Sequence, residues 1–237
     1  MNKELSDELP HAINAKNPVP DFQRARTSEQ IKIRKGEIIN ACFKLYNEGG
    51  FEAVNFKAIS EMTSFTRQSI YNYYKTREEV LLDMLLLENE SWIGDLEKTI
   101  NSRESMTQEE YARFISGLFL EHGMMLELTS LLINLLENSS RPERMAGFSQ
   151  AGTRSYQTIL TSVRKFFPEL EYESCCFFTS SVIALSLGVY PVTQMYKKQI
   201  LPSQENGFSD PNFIKLSSSS FDEMFYLSVL CLLTGLK

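Results

Sequence analysis

The stretch Thr66-Arg67-Gln68-Ser69-Ile70-Tyr71-Asn72-Tyr73-Tyr74-Lys75-Thr76-Arg77-Glu78-Glu79 decides how the rest of the chain is read. Thr66 carries the short hydroxyl favoured at a helix N-cap. Arg67 and Gln68 precede Tyr71 by four and three residues, so the three share one polar and aromatic face. Ile70 and Tyr74, also four apart, share another face and are expected to turn inward. Tyr71, Tyr73 and Tyr74 cannot all reach one core from a single helix, so at least one ring is left outside. Thr76-x-x-Glu79 has the form of a capping box and opens a longer helix at once. A helix of two turns is unstable alone in water, so its neighbours must hold it.

Those neighbours lie just upstream. Asn55 is placed to cap a helix carrying Phe56, Ile59 and Met62, and Thr63-Ser64-Phe65 breaks the pattern before Thr66. Helix, short turn and helix make the helix-turn-helix pattern, with Ile59 and Ile70 as the expected contact between its halves. Further upstream, Thr27-x-x-Gln30 reads as another capping box. It opens a helix with Ile31, Ile38, Ile39, Cys42, Phe43, Leu45 and Tyr46, ended by Gly49-Gly50.

Residues 28 to about 85 resemble the N-terminal domain of the tetracycline-repressor (TetR) family of bacterial transcriptional regulators. The resemblance rests on Gly50-Phe51, Ile59, Thr66, Ile70-Tyr71-x-Tyr73-Tyr74 and Arg77-Glu78-x-Val80-Leu81. Family members usually carry Leu-Tyr-x-His-Phe and Lys-Glu-x-Leu at the last two places. Ser64 stands where the family often has a turn glycine, and Gln68 where a glycine often lets the backbone approach DNA. An operator therefore cannot be borrowed from relatives. Arg67 and Gln68 are expected to reach base edges, Arg preferring guanine and Gln adenine. Tyr71, Tyr73, Lys75 and Thr76 would position the DNA backbone, with Thr76 presenting a helix N-terminus to phosphate. Thr66, Asn72 and Arg77 complete the expected DNA-contacting set.

The charge distribution agrees. The chain of 237 residues has a formal charge of −6, yet residues 16–77 hold eleven Lys/Arg against six Asp/Glu. A basic module on an acidic body is the asymmetry of a protein that meets phosphate at one end. Residues 1–27 hold Pro10, Pro18 and Pro20 and read as a flexible arm, from which Lys16, Arg24 and Arg26 can reach DNA. The polar, acidic start lacks a signal-peptide pattern, so a cytoplasmic, nucleoid-associated protein is expected. Residues 174–196 contain no charge, but their Ser, Thr, Gly, Pro and Gln favour a buried helix over a membrane span.

Cys42, Cys175, Cys176 and Cys231 have no CxxC spacing and read as core thiols; the adjacent pair points to different helix faces. With His11 and His122 the only histidines, neither a histidine-rich metal site nor a nucleophile-His-acid set emerges. No enzyme, metal or cofactor is expected.

Beyond residue 76 the pattern stays helical, through Leu82, Leu85, Leu86, Trp92, Ile93 and Leu96, then from Thr107-x-x-Glu110, then near 122–137, 143–167 and 169–198. Pro142 and Pro168 act as breaks. Residues 201–219 read as a loop, and Ser220-x-x-Glu223 caps a last helix apolar around most of its circumference. Pairing the helices near 169–198 and 220–235 with their copies in a homodimer would cover both apolar surfaces. The family resemblance implies the same dimer, and a body that binds a small effector. Trp92, Phe114, Phe119, Met125, Phe148, Tyr156 and Phe178 are the candidate ligand-binding residues, with Met124, Phe177 and Tyr190 behind them. They suit a roomy apolar pocket.

The expected architecture is all-α, with an arm over 1–27, a helix-turn-helix DNA-binding domain over 28–75 and an effector-binding and dimerisation domain over 76–237. The expected function is a regulator, a repressor, that binds a palindromic operator in double-stranded DNA as a homodimer and is released by a small hydrophobic ligand. A helical adaptor binding protein without DNA specificity is the alternative.

Overall fold

A computed structural model describes residues 28–139, 142–195 and 220–236, with side chains omitted over 134–139. The expected arm at 1–27, with Lys16, Arg24 and Arg26, and the expected loop at 201–219 lie outside the described residues. Within them the chain is helical throughout: α1 Ser28–Ala53, α2 Phe56–Met62, α3 Arg67–Ile70, α4 Arg77–Ser102, α5 Gln108–Glu121, α6 Gly123–Ser139, α7 Pro142–Phe166, α8 Tyr172–Met195 and α9 Phe221–Gly235.

Local chemistry accounts for most of the boundaries. Asn55 Oδ1 accepts from Ala58 N at 3.0 Å and Thr66 Oγ1 from Ser69 N at 3.1 Å, the two caps expected in the helix-turn-helix. Thr107 and Glu110 close a reciprocal box: Glu110 N donates to Thr107 Oγ1 at 3.1 Å, and Thr107 N to Glu110 Oε2 at 2.8 Å. These bonds hold the Glu110 carboxyl below its ordinary range. Ser220 Oγ accepts from Glu223 N at 3.2 Å. The box at Thr76 is different from the expected one. Glu79 N reaches Thr76 Oγ1 at 3.4 Å, but the Glu79 carboxylate accepts from Lys75 N at 2.7 Å, one residue further back. The helix α1 is broken at Gly50, whose φ of 67° is accessible to glycine at no steric cost. This agrees with the expected glycine stop, although one more helical turn, to Ala53, follows it.

A head of α1–α3 rests on the first part of α4, where α1 packs on α4, α2 on α1, and α3 on α2. Ile59 and Ile70 are both fully buried there, as expected for the contact between halves. The body gathers α5, α6 and α7 around α4, and α8 packs on α6 and α7 while α9 packs on α5 and α8. At its far end Tyr111 is fully buried, sharing a 2.6 Å hydrogen bond with Ser162 and ringed by Phe114, Phe166, Phe167 and Phe178.

The uncharged helix is only partly buried within one chain, which leaves the surface that the expected pairing with a second copy would cover. The helix α8 is long and apolar enough to cross a membrane, with a mean hydropathy of 1.7, yet only 28% of its apolar window is buried within one chain. Cys175, Phe178, Thr179, Val182, Ser186 and Thr193 face the bundle, while Phe177, Ala184, Gly188, Val192 and Met195 are exposed. Thiol placement is mixed. Cys42 and Cys175 are buried and Cys176 half-buried, as adjacent positions on different faces, but Cys231 is exposed rather than a core thiol.

Candidate DNA interface and effector cavity

The recognition segment is shorter as a regular helix than its sequence suggests. After Ile70 the chain winds through a turn held by Tyr73 N and Tyr74 N on Ile70 O, at 2.9 and 3.1 Å. Ile70 and Tyr74 are fully buried, Tyr71 and Tyr73 half-buried, and Thr66, Arg67, Gln68 and Asn72 exposed. Each half-buried ring meets a phenylalanine edge-on: Tyr71 against Phe56 at 4.9 Å and Tyr73 against Phe65 at 5.8 Å. Their rings therefore brace the segment from beneath. At the turn, Ser64 takes a bond a glycine could make only in part: its amide donates to Glu37 Oε1 at 2.7 Å and its hydroxyl to Glu37 Oε2 at 3.3 Å. The carboxylate of α1 thus fixes the angle between α2 and α3. Arg67 and Gln68 are left with no hydrogen bond or ion pair among the described residues, projecting from the α3 N-terminus.

The expected contacts after the segment are more engaged. Lys75 is exposed but its Nζ donates to Tyr71 O at 3.2 Å, closing the turn. Thr76 caps α4. Arg77 lies over the Phe51 ring at 4.0 Å and pairs with Glu78 at 3.1 Å and Glu52 at 3.5 Å, so its guanidinium ties α4 to the end of α1.

Behind the recognition segment sits a cluster that sequence reasoning missed. Asp83 of α4 accepts from the Tyr74 hydroxyl at 2.8 Å, pairs with Lys35 Nζ of α1 at 3.3 Å, and pairs with Arg144 Nη1 of α7. Lys35 and Arg144 also lie over the Tyr74 ring, at 5.0 and 5.5 Å. Burial, then the adjacent Asp83 charge, pushes the Tyr74 phenol far above its ordinary range, so it remains a donor. One carboxylate therefore joins the first helix, the recognition segment and the body. Its partners are separated by 48, 9 and 61 residues, and nothing local in the sequence marks them as a set.

The body holds a cavity of about 240 Å³ between α4, α5, α6, α7 and α8, open to solvent beside Ile133, Ser149 and Gly152. Trp92, Phe119, Met125 and Phe148 line it, four of the seven expected ligand residues. Phe114, Tyr156 and Phe178 do not. Phe178 and Phe114 pack around Tyr111, and half-buried Tyr156 faces Cys176 and Ser180 of α8. The volume lies at the low end for a small-molecule site, so the expected roominess is not there: many of the aromatic side chains fill the core. Asn89, Thr129, Ser149, Ser155 and Ser186 supply the polar part of the lining, and no charged side chain contributes among the described residues. The clue to Asn89 was its place in the apolar stripe of α4, four residues after Leu85 and three before Trp92.

Two family profiles match the sequence. Residues 38–84 match the bacterial regulatory proteins of the tetR family, and residues 86–236 the tetracyclin repressor-like C-terminal domain. No curated protein matches. Among solved structures, a TetR-family transcriptional regulator from Mesorhizobium loti superposes with a TM-score of 0.56 at 13% identity, over 87% of this chain and 98% of its own. A TetR/AcrR-family regulator from Thermobifida fusca gives 0.56 at 20% identity, over 86% and 98%. The Bacillus subtilis regulator FadR in complex with stearoyl-CoA gives 0.53 at 14% identity, over 84% and 97%. Likeness at these identities concerns the fold; the profiles, the second of which covers more than half the chain, concern descent. With a braced recognition segment at one end, a cavity among the helices of the body, and both profiles in agreement, the chain belongs to the TetR family of DNA-binding transcriptional regulators.

Proposed function

We propose that this regulator is a repressor that binds an inverted-repeat operator as a homodimer in the cytoplasm, on the nucleoid, and leaves it when a small apolar molecule fills the cavity of the body. The observation that carries the reading is the pair Arg67 and Gln68: exposed, unengaged among the described residues, and held on a segment anchored by buried Ile70 and Tyr74. In a major groove Arg67 would read guanine and Gln68 adenine, while Asn72, Tyr71, Tyr73 and Lys75 would make the phosphate contacts that set register. Thr66 and Thr76 act through the helix ends they cap, and Arg77 chiefly braces α4. In this reading residues 28–75 are the DNA-binding domain and residues 76–237 the effector-binding and dimerisation domain.

Dimerisation is supported by the exposed apolar groove shared by α8 and α9, where Ala184, Leu185, Gly188 and Val192 meet Met224 and Leu232. An uncovered apolar surface of this kind favours a second copy. FadR binds stearoyl-CoA, a molecule with a long hydrocarbon chain, and this supports an apolar effector for the fold.

The test is selection of duplexes from a random DNA pool by the full-length protein at physiological salt. Enrichment of an inverted repeat is expected. A folded, dimeric protein that enriches nothing would favour the adaptor reading instead.

A further inference from the structure

Between α2 and α3 the chain runs Thr63-Ser64-Phe65-Thr66 without a glycine, and contacts set its course. Thr63 Oγ1 donates to Ile59 O at 2.8 Å, which ties the break to α2. Ser64 and Phe65 are tied instead to α1, by Arg34 and Glu37, three residues apart and therefore on one side of that helix. The half-buried Glu37 accepts from the Ser64 amide at 2.7 Å and from its hydroxyl at 3.3 Å, while the Arg34 guanidinium lies over the Phe65 ring at 5.7 Å. Phe65, 5% exposed, in turn meets Tyr73 of the recognition segment edge-on.

Arg67 and Gln68 follow Ser64 by three and four residues. The helix that carries them has four residues and cannot hold a direction by itself, so their aim is set where the break is gripped. A carboxylate is repelled by phosphate, and Glu37 brings no affinity of its own to DNA. Building on the reading of Arg67 and Gln68 as base readers, we propose that Glu37 is a positioning residue for operator selectivity: through Ser64 it holds the recognition segment at the angle from which the two side chains meet base edges. Hydrogen bonds to base edges weaken beyond about 3.2 Å and fall steeply at poor angles, whereas a lysine follows a phosphate on its flexible stem. A tilt of the segment therefore costs base discrimination first and general affinity for DNA last.

The experiment uses the full chain and two substitutions that separate shape from charge. Glu37→Asp keeps the charge on a side chain one methylene shorter, which draws the carboxylate back from Ser64; Glu37→Gln loses the charge but keeps an acceptor for the Ser64 amide. Fluorescence anisotropy gives affinities for the selected inverted repeat and for a scrambled duplex, and amide hydrogen exchange at Ser64 is followed in the free protein. In Glu37→Asp the ratio of the two affinities should fall at least about fivefold, the worth of one hydrogen bond, with scrambled-duplex affinity unchanged and exchange at Ser64 accelerated. Glu37→Gln should keep the ratio while binding both duplexes more tightly, because one repulsion is gone. Ser64→Gly keeps the amide bond and drops the hydroxyl one, so its loss should be smaller, and added to Glu37→Asp it should cost nothing further. It also serves if Glu37→Asp fails to fold. A ratio or an exchange rate unchanged in Glu37→Asp, a ratio lost only in Glu37→Gln, or losses that add in the double variant would overturn the assignment. A parent protein that selects no inverted repeat would overturn the regulator reading and the role in selectivity together, before any variant is compared; a parent that selects one, with the ratio unchanged in Glu37→Asp, would overturn this inference alone.

Discussion

Among the described residues Arg144 is the single side chain that carries α7, a wall of the cavity, to the cluster behind the recognition segment, so Arg144→Met should disconnect effector from operator. Phe148 lies one helical turn after Arg144 and lines the cavity, so a shift of α7 around a ligand moves both. The Arg144 and Asp83 side chains are 15% and 14% exposed, a setting in which a hydrogen bond to a charged group contributes about 1.5–3 kcal/mol. Asp83 keeps Tyr74 and Lys35 in the variant, and methionine retains much of the aliphatic packing, which places the stability loss near the lower bound, at about 1–2 kcal/mol. Asp83→Asn should cost more, about 3 kcal/mol, because it leaves two cations facing each other across Tyr74. The discriminating quantity is the ratio of operator affinities without and with a compound that fills the cavity. A coupling of about 1–3 kcal/mol, or 5- to 150-fold, is ordinary for such a device. Fluorescence anisotropy of a labelled operator duplex should show that ratio falling towards unity in Arg144→Met, while affinity for the compound itself holds. A variant that stays folded, binds the compound and still releases DNA as the parent does would refute the assignment of the link to Arg144.

Arg67→Ala should lose about 1–3 kcal/mol of discrimination at one base pair, whereas Lys75→Ala should weaken all sequences alike and flatten the salt dependence; competition between operator and scrambled duplexes distinguishes them. Ala184→Glu, on the exposed face of α8, should yield a folded monomer by analytical ultracentrifugation and lose affinity for the full inverted repeat; a dimer that persists would rule out this face. Gly50→Ala should destabilise the fold by about 1–2 kcal/mol in denaturant titration, because alanine is strained at a φ of 67°. Burial pushes the Cys42 thiol from its ordinary 9.0 up to about 12. The unfolded thiol ionises from pH 9 upward while the folded one holds its proton, so the stability it contributes is complete below pH 9 and is lost as pH rises towards 12. Over that window the stability gap between the parent and Cys42→Ala should shrink by about 1.4 kcal/mol per pH unit; a constant gap would contradict the assignment.

The head was legible because its signals are local. Caps at Asn55 and Thr66 act over three residues, the glycine stop at Gly50 acts on one, and the Ile59 and Ile70 pair follows from helical spacing. The site was legible in part for the same reason. Four of the seven expected ligand residues line the cavity, but periodicity marks a side chain only as inward-facing, and inward on a bundle means cavity for Phe119 and solid core for Phe178. Asn89 carried a usable signal as a polar break in an apolar stripe. The Asp83 cluster carried none, since Lys35, Tyr74 and Arg144 meet it only once α1, α4, α7 and the turn after α3 have packed. The partial burial of α8 has a physical reason: one chain supplies helices for one side of it, and the other side is left for the partner that its composition implied.

The continuous helix α4 makes the arrangement more than a list of contacts. Its first residue follows the cap that closes the recognition segment, Asp83 lies in its second turn, and Asn89 and Trp92 reach the cavity in its fourth and fifth. At a rise of about 1.5 Å per residue, six residues separate Asp83 from Asn89 by roughly 9 Å along the axis, with no glycine or proline between them to absorb strain. A ligand filling the cavity beside Asn89 and Trp92 therefore bears on the same rigid rod that carries Asp83 and on α7, which touches the rod at both the cavity and Arg144. With Arg144 alone removed, α7 still packs on α4 but loses its link to Asp83, whereas a proline introduced between Asp83 and Asn89 would break the rod itself. The two changes should abolish the effector response equally while leaving different stabilities, and a response surviving either one would mean that effector and operator are joined by another route.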